Sequence, residues 1–273
     1  MKPGTALERL EAAIGRLGSV VVAFSGGADS ALVAKVATDV LGPNRVLCVT
    51  AVSASLAPEE RSACAELAGE WGLRWMAVET NQLDDPDYAR NDSDRCYHCK
   101  RELMEVLSPL AASEAATVVL GVNLDDLDDV RPGQRAAAEA GAAFPLVEAG
   151  LDKDAVRALS QTLGLRTWDK PAAACLASRV PHGTPVTFGI LGRVAAAESG
   201  LRNLGFAAMR VRHYGELARI ELPVDDLVRA IEHRDEIVTA VRSAGYGYVT
   251  LDLEGLRSGN LARSALDATG FKR

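Results

Sequence analysis

Residues 25 to 30, Ser25-Gly26-Gly27-Ala28-Asp29-Ser30, put two hydroxyls, two glycines and a carboxylate into six positions. Adjacent glycines let the chain turn with no side chain in the way, so several backbone N–H groups can face one point. Before the turn, Val20-Val21-Val22-Ala23 reads as a strand buried on both faces. After it, Asp29, Ser30 and the apolar series Leu32, Val33, Val36, Ala37, Val40 and Leu41 read as a helix start and its buried face. A strand that runs through glycine into a helix N-terminus aims N–H groups and the positive end of the helix dipole at one place, a seat for an anion such as pyrophosphate. No lysine follows the second glycine, so this is not the Walker loop. The plainer reading, a turn capped by Asp29 or Ser30, leaves six defined positions in this setting unaccounted for.

The second reactive set is sulfur. Five cysteines, an odd number unevenly spaced, point to metal or catalysis before disulfides. Cys48 falls inside an apolar strand pattern and Cys64 inside a helix pattern, where a thiol is a small buried hydrophobe. Cys96 and Cys99 fall at the first turn of a helix that continues through Leu103, Val106, Leu107 and Leu110. Three residues apart, they share a face at a helix N-terminus, a position that suits metal ligation. Cys175 lies in the stretch Trp168 to Thr184, which has two prolines, many small residues and no helical or strand period. Such a loop inside a folded domain is usually functional. Three thiolates would satisfy three irons of a cubane and leave the fourth open to an exogenous sulfide. A structural zinc site would need a fourth ligand, for which His98 or His182 is available. A Cys96–Cys99 redox pair and free thiols are the remaining readings.

The elements that must position these groups alternate. A leading amphipathic helix (residues 3 to 17) precedes the first strand, and further buried strands read at 46 to 52, 75 to 79 and 117 to 123, with a helix from Pro58 to Leu73 and another from Lys153 to Leu163. Strand and helix in alternation predict an α/β fold, a doubly wound parallel sheet. Ligands of such sheets sit beyond the carboxyl ends of the strands. Ala23 and Phe24, Ala51 and Ser53, and Gly121 and Asp125 should therefore line the nucleotide crevice. Asp125, Asp126, Asp128 and Asp129 put four carboxylates into five residues, with Asp125 and Asp126 the preferred pair for ribose or Mg²⁺. From Phe188 the pattern becomes a smaller α+β unit: a helix (190 to 204), strands at 209 to 214 and 217 to 222, a helix from Val224 to Ala244 and a last strand at 248 to 253. Arg210 and Arg212 leave one face of a strand, which suits a phosphate grip and equally a solvated face balanced by Glu216 or Glu221. The domain boundaries read as 1–168 for the nucleotide domain, 169–187 for the loop with Cys175 and 188–273 for the C-terminal unit.

The chain of 273 residues has a formal net charge of −7, which argues against a nucleic-acid partner without excluding a local basic patch. No apolar run approaches the roughly 20 residues of a membrane span, and the N-terminus lacks the hydrophobic core of a signal peptide, so a cytoplasmic location is expected.

The Ser25–Ser30 block resembles the PP-loop of the ATP pyrophosphatases, which adenylylate a carbonyl or carboxyl and release pyrophosphate. The resemblance implies that Ser25, Gly26, Gly27 and Ser30 hold pyrophosphate and that Asp29 helps to position Mg²⁺, which Asp126 of the acidic turn would share. Nearly the whole chain is similar to one branch of that superfamily, the LarE-type sulfur transferases. The similarity is carried by Asp128-Asp-Val-Arg-Pro-Gly133, Lys170 through Ser178-Arg179-Val-Pro-His-Gly-Thr184, Arg210-Val-Arg212, Ala218-Arg-Ile-Glu-Leu-Pro223 and Tyr248-Val-Thr-Leu-Asp-Leu253. It implies that ATP activates the carboxylates of pyridinium-3,5-biscarboxylate mononucleotide and that sulfur displaces AMP, with a homo-oligomer as the assembly and an unidentified sulfide donor. Some members give up the sulfur of one loop cysteine. Others hold a 4Fe-4S cluster on three cysteines, and Cys96, Cys99 and Cys175 resemble the second group, Ala174 standing at the sacrificial position. Ser178, Arg179, Arg210 and Arg212 would bind the substrate phosphate or AMP, and Glu198 and Glu221 match acidic positions near the site, although by spacing they read as ordinary helix and strand surface. An amide-forming synthetase leaves the three cysteines unexplained, tRNA thiolation expects a basic face, and a non-catalytic nucleotide-sensing iron–sulfur carrier leaves the intact Asp29, Ser30 and acidic turn without a task.

Overall fold

β1 (Val20–Ala23) is the centre of the first sheet because its side chains are apolar on both faces, as a strand covered on two sides requires. The computed structural model describes residues 3–127, 132–171 and 174–257. Asp128 to Arg131 of the acidic turn, together with Ala172 and Ala173, lie outside the described residues. The chain divides into two compact units, Met1–Tyr88 with Asp94–Ala174, and Ala89–Ser93 with Cys175–Arg273.

In the first unit, α1 (Pro3–Gly15) leads into β1 and then α2 (Ala28–Leu41), β2 (Val46–Val52), α3 (Pro58–Glu70), β3 (Trp75–Glu79), α4 (Pro86–Ala89), α5 (Arg95–Ser113) and β4 (Thr117–Leu120). The short helices α6 (Pro132–Glu139) and α7 (Pro145–Glu148) and then α8 (Lys153–Thr162) follow. The four strands are all parallel in the order β3-β2-β1-β4. Val20, Val22, Val46 and Cys48 pack with α1, α2, α3 and α8 on one face, while Val21, Leu47, Val49 and Val118 pack with α5 and α6 on the other. The two-residue period of the strands thus feeds two separate apolar layers, and the sheet is doubly wound.

The second unit contains α9 (Phe188–Asn203), β5 (Arg210–Tyr214), β6 (Leu217–Glu221), α10 (Leu227–Glu232), α11 (Arg234–Ser243) and β7 (Tyr248–Leu251). β5 and β6 form a hairpin around Gly215, whose φ is +64°, and β7 adds parallel to β6. Leu201, Phe206, Val211, Ile220, Ile237 and Val241 make its core. Gly200 lets α9 lie close to α11, since a Cβ there would sit 3.0 Å from the Ala240 methyl. Among the described residues no helix is long and apolar enough to cross a membrane.

The structure departs from the sequence reading in local lengths. The helix expected from Val224 to Ala244 is a 3-10 turn (Val224–Asp226) followed by α10 and α11, broken at His233. Asp235 and Glu236 stand in the first turn of α11, where carboxylates favour a new helix N-terminus over a continued helix. α3 stops at Glu70 because Gly72 takes a left-handed conformation, φ +62°. β4 ends at Leu120, three residues early, where Gly121 meets α2.

His213 is buried in this second core with Nδ1 3.2 Å from the Tyr246 hydroxyl. Burial, reinforced by the charge of Arg193, pulls its pKa below the usual 6.5. In acid the unfolded chain therefore takes up a proton that the folded chain resists, and stability is lost as pH falls below 6.5. Urea unfolding from about pH 7 to about pH 5.5 should show a falling midpoint, and His213→Gln should flatten that slope whatever its effect on the absolute midpoint.

Candidate active site

The glycine turn joins β1 to α2 at the carboxyl edge of the parallel sheet. Gly27 is the N-cap of α2 and no side chain caps it, so the N–H groups of the first helical turn are left for another acceptor. α8 is capped by Asp152 and α9 by Thr187, while α3, α5, α7, α10 and α11 also start without a side-chain cap, so what sets α2 apart is the glycine turn before it. Ser25 and Ser30 face each other across the turn with their hydroxyl oxygens 3.1 Å apart, and the Ser25 N–H donates to Ser30 Oγ at 3.2 Å. Gly26 has φ +66°, and a Cβ there would lie 3.0 Å from Cys64 Sγ, so this position admits glycine for both conformational and steric reasons. Gly121 is the tighter point. A Cβ on it would stand 2.6 Å from the Ser30 nitrogen and 2.8 Å from the Asp29 carbonyl carbon, backbone atoms that cannot swing aside.

Asp29 is held from two sides. Its Oδ1 accepts from the Asn123 amide at 2.9 Å and its Oδ2 pairs with Lys153 Nζ at 2.5 Å. Asn123 also accepts from the Asp125 N–H, and its own N–H donates to Asp126 Oδ2, which fixes the turn after β4. Asp125 Oδ2 accepts from the Lys153 N–H at 3.0 Å and so ties that turn to the start of α8. On the other side of the glycine turn, Lys170 Nζ donates to the Gly26 carbonyl and to Glu60. Thr50 Oγ1 donates to the Phe24 carbonyl at 2.7 Å and accepts from the Trp75 indole, which locks β2 beside the turn.

A cavity of about 570 Å³ opens over these groups. Its lining includes Ala23, Phe24, Ser25, Gly27, Asp29, Ser30, Ala51, Gly121 and Asp126, together with Cys96 and Cys99. Val49, Leu56, Leu103 and Val122 supply apolar walls of the kind that accept a flat aromatic base. Gly26, Ser53 and Asp125 are outside the lining described; the Ser53 hydroxyl instead accepts from the Ser55 N–H. Both thiols stand at the start of α5 as the spacing predicts, Cys96 exposed and Cys99 half-buried. Gly133 lets α6 press on that turn, since a Cβ there would be 2.9 Å from the Cys96 carbonyl oxygen. Cys48 and Cys64 are buried, burial pushing the Cys48 thiol up to about 12 and the Cys64 thiol above its usual value, so both stay protonated packing groups.

The arginine constellation belongs to the second unit. Arg179 forks onto Glu198, Nε to Oε1 at 2.8 Å and Nη2 to Oε2 at 3.0 Å. Arg212 donates to Glu221 Oε2 and to the Ser178 carbonyl, both at 2.8 Å, and Arg219 donates to Glu221 Oε1. Glu198 is 3% exposed, Glu221 0% and Arg212 3%, so none of them is the helix or strand surface that spacing alone describes. Arg210 is half-buried and donates to the Arg257 carbonyl. Burial, then the nearby charges of Arg212 and Arg179, lower its pKa, the mark of a cation crowded by like charges and suited to an anionic ligand. Cys175, exposed, precedes the 3-10 turn Leu176–Arg179, and its carbonyl accepts from the Ser178 N–H.

Sequence reasoning passed over Asn123 and Lys153, and quoted Lys170 without giving it a task. Lys153 did leave a signal, because a lysine in the first turn of a helix opposes the dipole and needs a carboxylate elsewhere to justify it. Gly121→Ala should destabilise the protein by about 1–3 kcal/mol and weaken Mg-ATP binding at least about ten-fold, because the first turn of α2 must retreat. Denaturant melts and calorimetric titration check both, and wild-type affinity in this variant would remove the glycine from the site's design.

The NAD synthase family profile matches residues 10–103, which include the glycine turn. An uncharacterized protein of Synechocystis sp. is 48% identical over 94% of this chain and 97% of its own length. The pyridinium-3,5-bisthiocarboxylic acid mononucleotide synthase of Lactiplantibacillus plantarum is 42% identical over 92% of both chains, and an uncharacterized protein of Methanocaldococcus jannaschii is 27% identical over 88% of this chain and 91% of its own. With that identity running through both units, the chain belongs to the LarE-type family of pyridinium-3,5-bisthiocarboxylic acid mononucleotide synthases, within the PP-loop ATP pyrophosphatases.

Proposed function

We propose that the chain is an ATP-dependent sulfur transferase that adenylylates the carboxylates of pyridinium-3,5-biscarboxylic acid mononucleotide and converts them to thiocarboxylates, a step in building the nickel-pincer nucleotide. The observation that carries this reading is that the uncapped glycine turn and the thiols of Cys96 and Cys99 line one cavity.

In the first half-reaction a substrate carboxylate oxygen bonds to the α-phosphorus of ATP and the bond to pyrophosphate breaks. The N–H groups at the start of α2 and the hydroxyls of Ser25 and Ser30 face the charge that grows on the leaving group, and they are fixed before the reaction begins. Mg²⁺ held by Asp29 and Asp126 would neutralise further phosphate charge. Lys153 and Asn123 keep the Asp29 carboxylate in one orientation. Arg210 and Arg212, with Ser178 and Arg179, are the groups of the second unit that would grip the substrate phosphate or AMP, and the buried Glu198 and Glu221 hold two of those guanidinium groups in place.

The donor set fits a thiolate-held cofactor, because Cys96, Cys99 and Cys175 are the accessible cysteines and Cys48 and Cys64 are buried. A 4Fe-4S cluster held by those three would supply a sulfide nucleophile for the displacement of AMP from the acyl carbon. The chain would self-associate through the second unit, where Val224 on the 3-10 turn and Val228 and Ile231 on α10 are exposed.

ATP–pyrophosphate exchange driven by the pyridinium dicarboxylate mononucleotide tests the first half. Cys96→Ser, Cys99→Ser and Cys175→Ser should each keep exchange within about two-fold while repeated thiocarboxylate formation falls at least about a hundred-fold. Catalytic thiocarboxylate formation from free sulfide by the triple variant, or exchange driven instead by tRNA or an amide precursor, would contradict the reading.

A further inference from the structure

One buried nitrogen on α5 has no task in the chemistry above. His98 is 8% exposed, and its Nδ1 is buried without a hydrogen-bond partner. Its other ring nitrogen, Nε2, lies 3.4 Å from Asp94 Oδ2, one turn earlier on the same chain. With Nε2 donating to that carboxylate, Nδ1 is left with a lone pair. That lone pair faces Asp85 Oδ2 at 3.4 Å, and the ligand atoms of Asp85, Asp87 and His98 all lie within 4.8 Å of one another. Two electron-rich atoms that close repel unless a cation stands between them.

We propose that Asp85, Asp87 and His98 form a divalent transition-metal site of the zinc class, separate from the cysteines. Imidazole nitrogen with carboxylate oxygens is a donor set that zinc accepts and that calcium and magnesium, which prefer oxygen throughout, do not favour. Two carboxylates offset the charge of a divalent ion, and Arg101, which also touches Asp85, is offset by Glu105 at 3.7 Å. The surroundings match what a metal ligand requires around it. A carboxylate behind the distal nitrogen of a ligating histidine fixes its tautomer, the position Asp94 holds. Arg101 donates to Asp85 Oδ2 at 2.7 Å and the Asp87 N–H donates to Asp85 Oδ1 at 2.9 Å, so the Asp85 carboxylate is oriented from outside, and its four lone-pair sites leave room for a metal. The ion would staple Asp85 and the first turn of α4 to the first turn of α5, with His98 one residue from Cys99 and two from Cys96.

The test uses the full-length chain with Cys96, Cys99 and Cys175 replaced by serine, so that no accessible thiolate competes, dialysed against zinc and read by elemental analysis and thermal melting. We expect one zinc retained per chain and a raised melting temperature. His98→Gln and Asp87→Asn in that background should each weaken zinc at least about ten-fold, and Asp94→Asn should do so less. Asp87→Asn, at a partly exposed position, keeps the test readable where His98→Gln fails to fold. Failure of the cysteine-free chain to retain zinc, or retention unchanged by His98→Gln and Asp87→Asn, would overturn the site. Neither result bears on the cysteines, so the sulfur-transfer reading stands or falls apart from it.

Discussion

Everything in the nucleotide unit depends on how closely the end of β4 approaches the first turn of α2. Gly121 meets the backbone of Asp29 and Ser30 with no room for a methyl group. That contact leaves the start of α2 uncapped by protein yet enclosed by it, with the carboxyl ends of β1, β2 and β4 forming the walls around it. A capping side chain, as in α8 and α9, takes up one N–H group of the helix start, whereas this N-terminus keeps that group too and gives up the capping stabilisation of about 1 kcal/mol. An anion bound there would make good the deficit, which is how a local instability would become affinity.

The same crowding brings the thiols in. Gly133 allows α6 to press on the first turn of α5, and Cys96 and Cys99 of that turn line the same cavity as the glycine turn. In the second unit the strategy is opposite. Glu198 and Glu221 are wholly buried acceptors that fix Arg179 and Arg212, while Arg210 stays only half-buried among them. Removing one partner of such a buried pair strands the other charge, so these residues hold the guanidinium groups in register at a cost in desolvation.

Much of this was legible in the sequence where cause and effect are contiguous. The strand, glycine turn and helix start of residues 20 to 41 are adjacent in the chain, and the face shared by Cys96 and Cys99 follows from three-residue spacing on α5. What spacing could not show was set by distant partners. Lys153 reaches Asp29 from 124 positions away, and Arg212 finds the Ser178 carbonyl 34 positions back. The burial of Glu221 depends on guanidinium groups from two strands, so a strand pattern alone reads it as surface. The break at His233 turns on two carboxylates starting a new helix, a local preference that a single helix from Val224 to Ala244 passes over.

The claim at the centre is that nucleotide and thiols meet in one cavity. Alkylation of Cys96 and Cys99 by iodoacetamide in cluster-free protein, followed by mass spectrometry with and without saturating Mg-ATP, measures this directly. Nucleotide in the cavity should slow modification of both thiols several-fold, and equal rates with and without nucleotide would contradict the shared site.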